Sequence, residues 1–208
     1  MGGVFMVKLG KRLVFLALLA ALVWVGAVLA DRQKLDSGLV RVHILANSDS
    51  ETDQEQKLLV RDALVESLRS GLSQATDAQA AKAYLQEHLP ELERLANQVL
   101  REAGSENSAV LRLVREAFDT RQYDTFSLPA GVYDALRVEI GSAQGHNWWC
   151  VAFPQLCLPA AGEDLQDAAQ AGGFSQTLTR TLEGEQGYRV RFFFLDLLGR
   201  VENLLHRK

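Results

Sequence analysis

The 208-residue chain reads as an α+β protein, with a largely antiparallel sheet and helices packed on one face of it, after an N-terminal signal or transmembrane helix. Three observations predict this. Leu13 to Ala30 is an uninterrupted uncharged apolar run; Leu39–Leu45 and Ala135–Ile140 alternate apolar and polar residues with period 2; and the stretch between them carries apolar residues at helical spacing. Composition is that of an ordinary globular protein, at 48% apolar and 23% charged residues. The net charge of -4 conceals two unlike pieces. Lys8, Lys11 and Arg12 are the only charged residues before Asp31, so residues 31–208 hold 19 basic against 26 acidic side chains, a net charge of -7. That acidic balance excludes nucleic acid as a partner, because phosphate binding needs clustered Lys and Arg.

The first element is LVFLALLAALVWVGAVLA behind a basic flank. Eighteen residues at about 1.5 Å rise make a helix of roughly 27 Å, close to the ~30 Å of a bilayer's hydrocarbon core. Val28 and Ala30 occupy positions that suit a signal peptidase cutting before Asp31, and cleavage is the preferred reading over retention as an anchor. Either way the basic flank stays inside and the single domain of residues 31–208 is exported.

Next comes LVRVHIL, Leu39–Leu45, a half-buried strand with Val40, Val42 and Ile44 on one face and Arg41 and His43 on the other. Asn47-Ser48-Asp49-Ser50 follows, and Ser50 with Asp53 approximates a capping box for a helix to about Ser70, with Leu58, Leu64, Val65, Leu68 and Leu72 as its buried stripe and Gly71 as its stop. Thr76 or Asp77 starts a second helix to about Leu89. Pro90 fits the first position of a third, ended by Gly104. Val110–Phe118 and Ala135–Ile140 are strands separated by a turn at Leu128–Gly131, and Trp148–Phe153 is the expected hairpin partner of the strand ending at Ile140. Glu163–Ala171 reads as a short helix, Tyr188–Phe194 as a last strand and Leu195–Leu205 as a terminal amphipathic helix.

Two polar clusters carry the candidate chemistry: His43–Ser50 at a strand-to-helix junction and Gly145–Cys150 at a loop-to-strand junction. If they meet, a thiol or hydroxyl nucleophile, an imidazole base and a carboxylate orienter are all present, so an exported hydrolase using His43, Asn47 and Asp49 with His146 and Cys150 is one reading. The plainer reading is that Asn47, Ser48 and Asp49 cap a helix and His43 packs on a strand. Trp148 and Trp149 point to opposite faces if they lie on a strand, one into the core and one as an interface anchor. Cys150 and Cys157 are the only cysteines; export favours a disulfide between them, with two buried thiols or a reactive thiol near His146 as alternatives. The C-x6-C spacing, with no second Cys/His pair, does not suggest zinc, and no cofactor motif is present.

The segments LVRVHILANSDSETDQEQKLLVRDAL, LPAGVYDALRVEIGSAQGHNWWCVAFPQLC and YRVRFFFLDLLGRVENLL resemble the stage II sporulation protein R family, most specifically in the contiguous GHNWWC. The resemblance spans nearly the whole exported part; residues 72–108 and 160–186 carry little of it. It implies an exported sporulation signal that activates a mother-cell membrane aspartic protease processing the precursor of sigma factor E, with no catalytic residue or cofactor of its own. It also places His43, Asn47, Asp49, His146, Asn147, Trp148 and Trp149 in signature segments, and an exposed Trp rimmed by such groups suits a partner-binding patch.

Overall fold

A computed structural model describes residues 2–123, 125–154, 169 and 172–206. Its elements are α1 (Gly2–Gly38), β1 (Val40–Leu45), α2 (Glu51–Gly71), α3 (Ala78–Glu102), β2 (Ala109–Phe118), the two-residue strands β3 (Arg121–Gln122) and β4 (Ser127–Leu128), β5 (Gly131–Ile140), β6 (Asn147–Phe153), α4 (Gln176–Leu182) and α5 (Arg189–His206). The fold is α+β and its main sheet is mainly antiparallel, in the order β2-β5-β1-β6. Cys157, and with it the expected disulfide, lies outside the described residues, as does nearly all of the helix expected at Glu163–Ala171.

α1 is long and apolar enough to cross a membrane, and residues 8–23 are exposed along it. The apolar run ends at Ala30 but the helix does not. It continues through Asp31–Gly38, where Leu35 is fully buried and Arg32 nearly so, and leads over Leu39 into β1.

α2 starts where expected, with Asp53 N–H donating to the Ser50 hydroxyl at 3.2 Å. The other half of the capping box is absent: the Asp53 carboxylate turns away from the Ser50 amide and accepts from Ser48 Oγ (2.5 Å) and Asn47 Nδ2 (2.9 Å). The buried stripe of α2 includes Val60, Leu64, Val65 and Leu68, whereas Leu58 faces solvent. Gly71 matters for packing, since a Cβ there would collide with the Tyr84 ring.

The two helices expected on either side of Pro90 are one. α3 begins at the Asp77 cap (Ala80 N–H to Asp77 Oδ1, 2.8 Å) and runs 25 residues to Glu102 with Pro90 inside it. Pro90 removes one backbone donor at a cost of about 3 kcal/mol. Ala81, Leu85, Leu92, Ala96 and Leu100 form a single buried stripe that crosses the proline, and this continuous apolar contact holds the helix together. Gly104, at φ +71°, ends it as expected.

β6 does not pair with β5. Each strand has two edges, and β5 uses one for β2 (Ala109 opposite Ile140) and the other for a parallel ladder with β1 (Val40 opposite Asp134, Leu45 opposite Glu139). β6 takes the remaining edge of β1, antiparallel, with Val42 opposite Cys150 and His43 opposite Trp149. β1 is therefore central rather than half-exposed, and Arg41 and His43 are buried with it. α2 and α3 cover the face of Val42, Ile44, Leu136 and Val138. The opposite face, that of Tyr133, Ala135 and Val151, carries helices too: the lower part of α1 (Leu35), α4 (Leu178, Leu182) and α5 (Leu195).

Tyr188–Phe194 is not a strand. A short 3-10 turn at Gln186–Tyr188 leads straight into α5, which runs from Arg189 to His206. The Arg189/Arg191 alternation imitates a strand, but Leu195, Gly199 and Asn203, each four residues on, form the buried line, and that spacing exists only in a helix. At Gly199 the helix lies so close to the Ala130 carbonyl that a Cβ would run into it.

Candidate functional site

The two polar clusters meet. β1 ends at Leu45 beside the start of β6 at Asn147, which brings the segment after β1 against the loop before β6. The backbone stitches them together: Gly145 N–H donates to Ala46 O at 2.9 Å and Gln144 N–H to Asn47 O at 3.2 Å. Asn47 Oδ1 accepts from Ser142 N–H at 2.9 Å, and Ser142 Oγ donates to Asn47 O at 2.8 Å. Asp49 Oδ1 accepts from the His146 amide at 2.6 Å and lies 2.5 Å from His146 Nδ1. Two glycines permit this closeness. A Cβ at Gly145 would strike the Ser48 carbonyl, and Gly141, at φ +57°, has Asn47 Oδ1 where a Cβ would sit.

Beneath the loop, Lys57 of α2 is buried and donates from Nζ to the His146 carbonyl (3.0 Å) and to Gln54 Oε1 (2.6 Å). Burial, helped by the positive charge of Arg61 and opposed by Asp49, lowers the Lys57 ammonium below its usual value. The Asp53 carboxyl is held below its ordinary value by the hydrogen bonds from Ser48 and Asn47. The resulting rim is ordered, polar and open to solvent: the side chain of His146 is 78% exposed and that of Asp49 57%. At that exposure the Asp49–His146 pair orients groups rather than stabilising the fold.

His43 is not on this rim. Because β1 alternates, it lies on the opposite face from Val42, with Nδ1 2.8 Å from Glu116 Oε1 of β2 and its ring stacked on Trp149 at 5.4 Å. The Arg121 guanidinium covers Trp149 at 3.5 Å. Glu116 also accepts from Arg137 Nη1 at 2.7 Å, and Arg137 Nε reaches Glu139 at 2.8 Å, so a line of charges crosses β2 and β5. His43 Nε2 is buried without a hydrogen-bond partner among the described residues. Trp148 lies on the other face, partly buried against the α2/α3 layer with Arg61 at 5.7 Å from its ring centre. Each Trp thus takes its own face, as strand alternation requires, and both are partly buried. Asn147 opens β6 opposite Leu45, at the rim.

Cys150 is buried at 4% exposure on the α2/α3 side, the face away from His43. His146 lies four residues earlier on an extended path, or about 13 Å along the strand. Neither imidazole is placed to activate the thiol. Among the described residues no three His, Cys, Asp or Glu side chains converge as metal ligands.

Sequence reasoning missed Glu116, Lys57, Ser142 and Arg121, each an ordinary polar residue in its own segment that gains a role only through long-range contact. Burial alone would raise the Glu116 carboxyl, but its hydrogen bonds and charge pairing with His43 and Arg137 win and hold it below its ordinary value. A carboxyl depressed on folding contributes stability above its unfolded pKa of about 4.3 and loses it as pH falls through the lower folded value. Urea unfolding from pH 7 to pH 3 should therefore show an acid-side loss of stability that is smaller in Glu116→Gln; identical profiles would remove this pair as a source of acid lability.

The fold and this rim define an α+β domain carried behind one apolar helix of membrane-spanning length, with a stitched polar surface at the C-terminal end of its central strand. The family model described as stage II sporulation protein R matches residues 36–163, from the last turn of α1 past β6, and the chain belongs to that family. The chain is 33% identical over 175 residues to stage II sporulation protein R of Bacillus subtilis (strain 168), covering 76% of this chain and 78% of the relative. No solved structure matches it.

Proposed function

We propose that the chain is a sporulation signal exported across the forespore membrane into the intermembrane space, where it activates a mother-cell membrane aspartic protease that processes the precursor of sigma factor E. It does so by binding and performs no proteolysis itself. The observation that carries this reading is the stitched rim: the end of HILANSDS (Asn47–Ser50) and the start of GHNWWC (Gly145–Asn147) form one solvent-accessible polar surface whose hydrogen bonds are spent on shape. A pre-shaped surface suits recognition because little entropy is lost when a partner docks. Binding activates only through differential affinity; moving a protease from 1% to 99% active requires about 10⁴-fold tighter binding to the active state, for example a dimer.

The hydrolase reading finds no support in the geometry, since Cys150 is buried and faces away from His43. The test is co-expression of the protease, the sigma precursor and this protein carrying Asp49→Ala, His146→Ala or Asn147→Ala. Processing is expected to fall at least about tenfold in one or more variants at unchanged protein level, the loss of one well-packed interface anchor. Full processing in all three would remove this surface from the interface.

A further inference from the structure

α5 buries one line of residues and leaves the opposite face bare. Val190, Phe193, Phe194, Leu197, Val201 and Leu204 are 40–66% exposed. At 100° per residue they fall within about one third of the helix circumference, with no polar side chain among them. A soluble domain seldom exposes a continuous apolar stripe about four turns long without something to cover it.

Its position on the molecule selects the cover. Phe194 meets Trp24 of α1 edge to face at 5.2 Å, so the stripe continues into the exposed apolar surface of α1. Arg191 pairs with Asp31 at 2.6 Å, at the point where the apolar run of α1 ends. These two contacts hold the first turns of α5 level with the last turns of the apolar run, the depth of a membrane–water boundary. Arg189 and Arg200 border one edge of the stripe and are exposed, as in an interfacial helix whose cations stay in water while its apolar side dips among lipid chains. Trp24 at the junction fits the same level.

We propose that the outer face of α5 lies in the interfacial layer of the bilayer that α1 enters, so that the domain rests on the membrane rather than standing off it. This rests on the reading of α1 as a membrane-inserted helix. The consequence is orientational: two attachments, a span and a flat helix, hold the domain at one angle, and the rim built by Asn47, Asp49 and His146 faces one fixed direction.

The test uses the full chain in vesicles containing brominated phosphatidylcholine. An environment-sensitive fluorescent amino acid replaces Phe193, Leu197, Leu22 on α1, or Leu59 on the exposed side of α2, in turn. The expected result is at least twofold quenching at 22, 193 and 197 and none at 59. Quenching at 22 alone overturns the proposal and leaves α1 as a span. Quenching at 193 and 197 but not at 22 upholds the lipid contact of α5 and overturns the membrane reading of α1. No quenching at any of the three overturns both. Energy transfer between copies labelled at 193, without quenching there, overturns the proposal by showing that a second copy covers the stripe.

Discussion

Arg32→Met is expected to lower the unfolding free energy of the domain by about 3–5 kcal/mol, the range for removing one partner of a buried charge cluster. Arg32 is where α1 is joined to the domain. Its Nη2 pairs with Asp36 at 2.6 Å and Glu202 of α5 at 2.8 Å, and its Nη1 donates to the Ala130 carbonyl at 2.6 Å. The residue is 6% exposed. Methionine fills much of the volume but leaves two carboxylates facing one another and a buried carbonyl without its donor. Urea unfolding of the full chain in mild detergent, followed by tryptophan fluorescence, measures the cost. Arg94→Ala is the control: that side chain is 75% exposed and pairs with Glu91 at only 3.8 Å, so the change should cost less than about 1 kcal/mol. A loss below about 1 kcal/mol in Arg32→Met would mean that α1 is not anchored through this cluster. The double variant Arg32→Met/Glu202→Gln should recover part of the loss by removing one stranded charge.

On the proposed function, Gly145→Val is expected to abolish signalling while leaving the domain folded. Its Cβ would run into the Ser48 carbonyl, a backbone atom that cannot move without dragging the cap of α2. The loop must instead lift, which breaks the bonds from Gly145 N–H to Ala46 and from Gln144 N–H to Asn47 and separates Asp49 from His146. The core is untouched, because the clash lies beyond the end of β1. Processing of the sigma precursor should fall by more than about tenfold, hydrogen exchange should rise at residues 144–147, and exchange in β1 and β5 should stay slow. Gly187→Ala, with nothing within 4 Å of the new Cβ, should signal normally. Normal processing by Gly145→Val, with fast exchange in its loop, would show that the stitched rim is not what the protease reads.

The site was half legible. Asn47, Asp49 and His146 stood out as polar residues at element junctions, and such junctions collect at strand ends. That they touch depends on β6 choosing the β1 edge, which no residue near His146 encodes. His43 sat in the same sequence cluster as Asn47 but belongs to the opposite side of the sheet, partnered by Glu116 from 73 residues away. Pro90 and the YRVRFFF stretch misled for one reason: each carries a strong local signal, a helix breaker in one and an alternation in the other, that a longer buried stripe overrides.

What the amino-acid sequence determined by itself was whatever acts over a few residues: the apolar run and its basic flank, the Ser50 and Asp77 caps, the Gly104 stop, the period-2 segments at β1 and β5, and the mixed fold class. Only the tertiary structure decided which edge each strand uses, that both sheet faces carry helices, that Arg41 and His43 are buried, and that two distant polar segments form one rim. The physical reason is range. Caps, turns and periodicity are set by neighbours along the chain, whereas strand edges and apolar faces are satisfied by competition among segments a hundred residues apart, and its outcome depends on every other segment being in place.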